Sequence, residues 1–386
     1  MSMEFALTPE QELLREEIRE WARREVQPVA DELDAQGVYP LEIIQDAAAR
    51  GYTTLAVPRE HGGMGLGMTE VCILMEEVGA YSPIVGVSLI TILQGQTMIR
   101  LFGSERTKTS FLPRFRQGFI SSYALTEGRH GSDIRSLDTK AQRVGDTWVI
   151  NGRKAFVTSS SAADLFVILA ETDAGVSVFL SERDRPGVSF ATPERSETIG
   201  LRNGPHMDVC LSNCSVPLDY LCGREGAGVR QAVEVLDVSR TGAAAISLGI
   251  AQAAFESAMR WVMHRKAFDR MIFDFQGIQW KFVDIRTELA AARMLIHQAA
   301  WLLDRGHPAI EEASRAKIYA SELATRAALF GMQVCGANGI SVSAPFGRYL
   351  RDAKAYEVAG GSSEILRNTI GKRVRKEYEG RAPEWH

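Results

Sequence analysis

Two short runs carry most of the residue types that bind or transform a small molecule. Ser121-Ser122-Tyr123-Ala124-Leu125-Thr126-Glu127, followed by Gly131-Ser132-Asp133, joins an apolar stretch to hydroxyl and backbone donors. Such a turn can hold a polar ring or a phosphate, and a loop capped by Thr and Asp has the same composition. Lys154-Ala155-Phe156-Val157-Thr158-Ser159 sets an aromatic face beside a hydroxyl. Flavin rings are held that way, and so are many cores. Other groups point to less. Cys210, Cys214 and Cys222 have no paired ligand cluster to close a zinc tetrahedron. Gly226-Ala227-Gly228 lacks the third glycine and the lysine of phosphate-binding loops and is expected to be a turn. His61 and His264 are expected to be polar surface or satisfied core groups.

Three zones of different period must position these residues. From Thr8 to about Gly118 the pattern is helical. Thr8-Pro9-Glu10-Gln11 combines an N-cap, a first-turn proline and a capping-box partner, and Leu14, Ile18 and Trp21 follow on one stripe. Pro40, Pro58, Pro83 and Pro113 are expected to punctuate these helices. Between about Ser121 and Arg230, short β-rich runs alternate with tight turns. Gly145-Asp146 separates Ala141–Val144 from Thr147–Ile150, Asn151-Gly152 is expected to turn the chain again, and 165–170, 176–180 and 209–211 add strands. From Gln231 helical period returns, with Ile278, Phe282, Ile285, Leu289, Ala292, Ile296 and Leu303 marking one helix to about Asp304. The expected order is an all-α N-terminal domain over residues 1–120, a middle β-barrel or sandwich over 121–230 and a helical bundle over 231–386.

The 386-residue chain is 45% apolar, enough for two or three domains with cores of their own, which excludes a disordered or fibrous protein. Its 44 basic and 48 acidic side chains give a net charge of −4. Without a broad cationic field, neither nucleic acid nor an anionic membrane is the expected partner; a small molecule is. Val78–Ile99 holds no charge and is long enough to cross a bilayer, but Ser82, Pro83, Gln94 and Gln96 suit a buried helix pair lining a pocket. Five cysteines, mostly in apolar segments, and no basic-then-apolar leader in Met1 to Glu10 make the cytoplasm the expected location.

Five patterns stand in register along nearly the whole chain. They are Tyr123-x-Leu125-Thr126-Glu127 with Gly131-Ser132-Asp133; Asn151-Gly152-x-Lys154 before Phe156-Val157-Thr158; Arg265-x-x-Phe268 with Gln276; Gln333-x-x-Gly336-x-Asn338-Gly339; and Arg351-Asp352-Ala353-Lys354. In order and spacing they resemble the acyl-CoA dehydrogenases. The resemblance implies an acyl-CoA dehydrogenase-like fold ending in a four-helix bundle, a homotetramer built as a dimer of dimers, and one FAD per subunit. It assigns Tyr123, Leu125, Thr126, Gly131 and Ser132 to the cofactor, with backbone donors around Leu125 and the Thr126 hydroxyl at the pyrimidine end of the isoalloxazine, where negative charge collects on reduction. Phe156, where many relatives carry Trp, would cover the ring face away from substrate, Thr158 would hydrogen-bond near N5, and Val157 between them belongs to the cofactor set. Arg265, Phe268 and Gln276, with Gln333 and Gly336, would hold pyrophosphate and adenine across a subunit boundary, so that a monomer should lose FAD. Arg265 alone would be a solvated helix cation; Phe268 and Gln276 beside it favour the binding role. Ser362 and Glu364 complete the cofactor set. Ser132, Asp237, Arg240 and Gly361 would contact the substrate, an acyl-CoA or acyl carrier protein, with Asp237–Arg240 at a helix start. Electrons would pass to an electron-transfer flavoprotein or another acceptor.

The chemistry the resemblance implies removes an α-proton from an acyl thioester while a hydride leaves the β-carbon for the flavin, and it needs a carboxylate over the α-carbon. Most relatives place a Glu just before Gly-Thr/Ser-x in the last loop. Here Glu357-Val358-Ala359-Gly360-Gly361-Ser362-Ser363-Glu364 puts Gly360 at that position. Some relatives place the Glu directly before the Arg that Arg240 matches, and here Ser239 stands there. Gly360 still offers a backbone N–H to polarise the thioester carbonyl. Loss of a general base costs on the order of 10²–10⁴ in rate, so Glu357, Asp237 or Glu364 would have to substitute. The expected function is an FAD-dependent oxidoreductase acting on an acyl thioester by α,β-dehydrogenation or its reverse, with a displaced base, a self-acidic substrate or a reductive direction. A flavin-dependent monooxygenase or oxidase on the same fold, and a flavoprotein without turnover, are the alternatives.

Overall fold

Helix α1 (Pro9–Trp21) starts as its sequence demands: the Thr8 hydroxyl accepts from the Gln11 N–H, and the Gln11 side chain accepts from the Thr8 N–H. The computed structural model describes residues 6–192 and 197–380; the first five residues of the Met1–Glu10 stretch lie outside them. Helices α2 (Ala30–Gln36), α3 (Leu41–Arg50), α4 (Met68–Tyr81), α5 (Pro83–Phe102) and α6 (Glu105–Phe115) follow. The uncharged run 78–99 is the expected helix pair, broken at Ser82–Pro83. Helix α5 is long and apolar enough to cross a membrane, and most of it is buried inside the protein. Pro113 does not end a helix as expected. It lies inside α6, so near the C-terminal end that little of the hydrogen-bond ladder is lost.

Among the described residues, eight strands form the middle sheet: β1 (Ser121–Ala124), β2 (Lys140–Val144), β3 (Thr147–Lys154), β4 (Leu165–Thr172), β5 (Gly175–Glu182), β6 (Val188–Ala191), β7 (Asp208–Pro217) and β8 (Leu221–Cys222). Their order is β6-β7-β3-β2-β4-β5-β8, with β1 pairing parallel to β4. The hairpin over Gly145-Asp146 forms as its sequence predicts, with Val144 opposite Thr147. Asn151-Gly152 is a bulge and not a turn. Strand β3 runs straight through it, and its register against β7 shifts between Ile150 and Gly152. The same local chemistry serves both outcomes, and pairing with β7 selects the bulge, which lets β3 reach Lys154.

The C-terminal part comprises α7 (Gly228–Val262), a small hairpin β9 (Lys266–Ala267) and β10 (Arg270–Met271), α8 (Gln276–Asp304), α9 (Ile310–Cys335), α10 (Phe346–Val358) and α11 (Ser363–Tyr378). Helices α7, α8, α9 and α10 pack together as the bundle. The turn at Gly226, φ +77°, launches α7 at Gly228, so Asp237–Arg240 lie well inside the helix and not at its start. The stripe Phe282, Ile285, Leu289, Ala292 and Ile296 is the buried face of α8. Glycines let α4 and α7 cross backbone to backbone: a Cβ on Gly249 would lie 2.2 Å from the Glu76 carbonyl oxygen, and one on Gly79 would lie 2.6 Å from that of Ile246.

Candidate functional site

The loop after β1 and the turn after β3 are joined by a buried ion pair. Lys154 Nζ donates to Glu127 Oε1 at 2.7 Å, and both side chains are shut off from solvent. Glu127 also accepts from the Asp138 and Thr139 N–H groups. Lys154 also donates to the Leu125 carbonyl at 3.2 Å, and the Ala155 N–H donates to the Thr126 carbonyl at 2.8 Å. Burial would raise the Glu127 carboxyl, but Lys154 and the two backbone donors outweigh it and hold it well below the usual range. Burial lowers Lys154, against the pull of Glu127. A charged pair this well satisfied fixes geometry; it pins Leu125 and Thr126 against the end of β3.

Phe156 and Ser159 then take φ of +51° and +62°. That backbone costs a non-glycine residue of order 1 kcal/mol, and such strain gathers at functional sites. It leaves Phe156 half exposed while Val157 is buried, its N–H donating to the Met207 carbonyl at 3.3 Å. Ser122 Oγ donates to the Thr158 carbonyl, stitching β1 to the turn. Leu125, Thr126, Phe156 and Thr158 thereby lie on adjoining loops, while Val157 is buried. The Tyr123 hydroxyl is buried without a partner among the described residues. Gly131 and Ser132 sit in an exposed loop, and a Cβ on Gly131 would meet nothing within 4 Å.

On the helical side, Gly360 and Gly361 link α10 to α11 with φ of +71° and +100°. Two buried cations grip their carbonyls: Arg240 Nε donates to Gly360 O at 3.0 Å, and Lys317 Nζ donates to Gly361 O at 2.9 Å. Ser362 caps α11 by accepting from the Ile365 N–H. Arg240 is balanced by Asp237, NH1 to Oδ1 3.0 Å. Lys317 is fully buried, and its bond goes to a carbonyl and not to a carboxylate. Burial, with Arg240 nearby, lowers its ammonium to about 8. Sequence reasoning missed Lys317; the signal was a lysine on a stripe of buried alanines, Ala313, Ala316, Ala320 and Ala324.

Neither Gly360 nor Ser239, the positions where the resemblance leads one to expect a base, carries an acid. A Cβ on Gly360 would meet nothing within 4 Å, so the space its side chain would occupy is open. Ser239 Oγ accepts from Gln94 Nε2 at 3.3 Å and donates to the Leu236 carbonyl, at the seam of α7 and α5. Glu357, the expected substitute, is engaged elsewhere: it accepts from Lys354 Nζ at 2.6 Å and from Thr325 Oγ1. Glu364 is exposed in the first turn of α11, held below its usual range by a backbone hydrogen bond and by Ser362. Asp237 is the acid connected to Gly360, through Arg240, and burial raises it to about 6 despite that guanidinium.

A third group lies elsewhere on the chain. The Ile272 N–H donates to the Arg265 carbonyl at 2.8 Å, closing the β9–β10 hairpin that sets Arg265 and Phe268 near Gln276, the first residue of α8. Phe268 has φ +51° and is 88% exposed. Gln333 and Gly336 are exposed at the end of α9. Among the described residues, no hydrogen bond or ring contact joins these five to Leu125, Thr126 or Phe156–Thr158.

Comparison with known proteins shows the family of the chain. The chain matches the family models for the acyl-CoA dehydrogenase N-terminal domain over residues 8–118, the middle domain over 122–214 and the C-terminal domain over 226–375. Acryloyl-CoA reductase (NADH) of Anaerotignum propionicum is 35% identical over 97% of this chain and 96% of its own. Butyryl-CoA dehydrogenase from Megasphaera elsdenii superposes with a TM-score of 0.93 at 30% identity, covering 96% of this chain and 100% of that one. A chain solved in work on the electron transferring flavoprotein of Acidaminococcus fermentans gives a TM-score of 0.93 at 31% identity, covering 96% and 99%. The family's cofactor is FAD, and the residues here fit its ring: an exposed aromatic face and a hydroxyl stand beside the pinned main chain of Leu125 and Thr126. When bound, FAD supplies a two-electron hydride acceptor. By sequence, domain order and superposition alike, the chain belongs to the acyl-CoA dehydrogenase family of FAD-dependent oxidoreductases that act on CH–CH donors.

Proposed function

We propose that this protein binds an acyl-CoA over Gly360 and moves a hydrogen pair across its α,β-bond with no side-chain base at either family position. One observation carries the reading: the space above Gly360 is open, over a loop whose two carbonyls are gripped by Arg240 and Lys317. The Gly360 N–H polarises the thioester carbonyl, while Ser132, Asp237, Arg240 and Gly361 line the pantetheine path. Leu125 and Thr126 donate to the pyrimidine end of the flavin, Phe156 and Val157 back the ring, and Thr158 lies near N5. The two cations at this loop place positive charge near a developing enolate, which favours it. That suits a substrate with an acidic α-hydrogen, or the reductive direction with solvent delivering the proton. Likeness to acryloyl-CoA reductase supports the second.

The wider assignments rest on the family. Residues 1–120, 121–230 and 231–386 serve as the three domains, and an electron-transfer flavoprotein or similar carrier exchanges electrons with the flavin. Exposed Phe268, Trp280 and Val283 support a homotetramer in which Arg265, Phe268, Gln276, Gln333 and Gly336 meet FAD across a subunit boundary. Five unpaired cysteines suit a reducing cytoplasm. To test the reaction, the oxidised protein is mixed anaerobically with a panel of acyl-CoAs, and the reduced protein with the matching enoyl-CoAs. Bleaching of the yellow band in the first, or its return in the second, is the expected result; no response in either sinks the proposal.

A further inference from the structure

Thr158, placed near flavin N5 in the reading above, is followed by a strained residue whose support comes from elsewhere in the chain. Ser159 takes φ +62°, a conformation a serine keeps only where its surroundings impose it. Its main chain is committed downstream: the Ser159 carbonyl accepts from the Ala162 and Ala163 N–H groups at 3.1 and 3.0 Å, and the Ser160 N–H donates to the Val157 carbonyl at 3.2 Å. Relaxing φ would therefore move the upstream residue, Thr158. The Ser159 side chain resists that movement. Its Oγ accepts from Asn203 Nδ2 at 3.0 Å and lies 3.0 Å from Thr91 Oγ1 on α5. Asn203 Nδ2 also donates to Ser88 Oγ at 3.3 Å, about one turn earlier on α5.

Asn203 is fully buried, and its Oδ1 has no partner among the described residues. A half-satisfied buried amide costs stability, so packing alone would be served better by an apolar side chain. The segment that carries Asn203 is mounted at both ends. From α10, Asp352 Oδ1 accepts the Leu201 N–H at 2.7 Å and Arg351 Nε donates to the Ile199 carbonyl at 2.8 Å. At the other end the Met207 N–H donates to Ser160 Oγ at 2.9 Å. Its amide thus bridges α5 and the flavin turn from a fixed base. We infer that Asn203 is a positioning residue: by holding Ser159 in the left-handed conformation, it sets Thr158 against flavin N5. The inference rests on the placement of Thr158 beside N5, which the experiment checks separately.

Competition between FAD and 5-deaza-FAD, in which a C–H replaces N5, reads this contact in the full-length protein without turnover. The wild type is expected to favour FAD by about ten-fold, the worth of one hydrogen bond. Asn203→Ala is expected to lose this preference while keeping most of its affinity for 5-deaza-FAD. Ser159→Ala and Ser159→Gly are small truncations that test the same hold where Asn203→Ala does not fold. Both remove the oxygen that Asn203 grips, but glycine takes φ +62° without strain. Ser159→Gly is therefore expected to retain the preference and Ser159→Ala to lose it, a split that a plain packing role for Asn203 would not produce. A full preference in Asn203→Ala or in Ser159→Ala, or an equal loss in both Ser159 variants, overturns the role of Asn203 and leaves Thr158 at N5. No preference in the wild type overturns the contact at N5 and the inference with it.

Discussion

Gly360 holds a φ of +71°, where L side chains are uncomfortable, although the space around its Cβ is open. A Gly360→Glu variant is therefore expected to gain reductive-half-reaction rate, within the 10²–10⁴ range of a general base, while losing about 1 kcal/mol of stability. Stopped-flow flavin bleaching and a urea midpoint read the two effects separately. An inert variant that still binds FAD and thioester would mean the pocket has been reshaped. Lys317→Met removes a buried charge yet leaves the Gly361 carbonyl without its donor, a loss of about 1–3 kcal/mol. The expected result is a looser loop and acyl-CoA binding weakened by about ten-fold or more, measured by calorimetry. Unchanged affinity would show that Arg240 alone holds the loop. Gly360, proposed to stand at the base position, was visible in the sequence; the lysine that bonds its neighbour Gly361 was not, since only folding brings α9 to the loop.

At the scale of elements, the ion pair between the loop after β1 and the end of β3 is the clearest case of tertiary structure deciding a role. Glu127 and Lys154 were both visible as motif residues, but their partnership depends on how β1 and β3 lie in the sheet. Lys154→Met would strand Glu127 as a buried anion and is expected to cost about 3–5 kcal/mol, read by chemical denaturation; Lys154→Met combined with Glu127→Gln should recover much of it. Helix α10 meets the middle domain in a similar way. Asp352 is fully buried, its Oδ1 accepts from the Leu201 N–H at 2.7 Å, and its Oδ2 has no partner among the described residues. Burial raises its carboxyl to about 7, against the Leu201 hydrogen bond and the pull of Arg348. From about pH 4 to about pH 7 the native state thus holds a proton the unfolded state has lost, so stability falls as pH rises through that window. Asp352→Asn keeps the acceptor and should lose this slope. It should gain on the wild type by up to about 4 kcal/mol between those limits, measured by urea denaturation at both ends. A parallel shift at the two pH values would refute the assignment. The bulge at Asn151-Gly152 teaches the same lesson: its residues announce a bend, and β7 determines which kind.

At the scale of the whole molecule, the helical, sheet and helical order followed from hydrophobic period, because a period of two or near four survives any arrangement of neighbours. What period could not say is which surfaces would serve the proposed tetramer. Trp280 and Val283 form an exposed apolar patch one turn long on α8, near the hairpin that presents Phe268. Replacing both with glutamate is expected to break the oligomer and release FAD together, seen by light scattering and by the flavin-to-protein ratio. Loss of one property without the other would separate assembly from cofactor retention. The grip on Gly360 and Gly361 has a historical corollary. Arg240 and Lys317 hold oxygen atoms that every amino acid possesses, so a lineage can discard its reactive carboxylate and inherit the cradle intact. Regaining it means forcing a bulky residue into a left-handed bend. Such a change would be easier to take than to reverse, because the bend itself favours glycine.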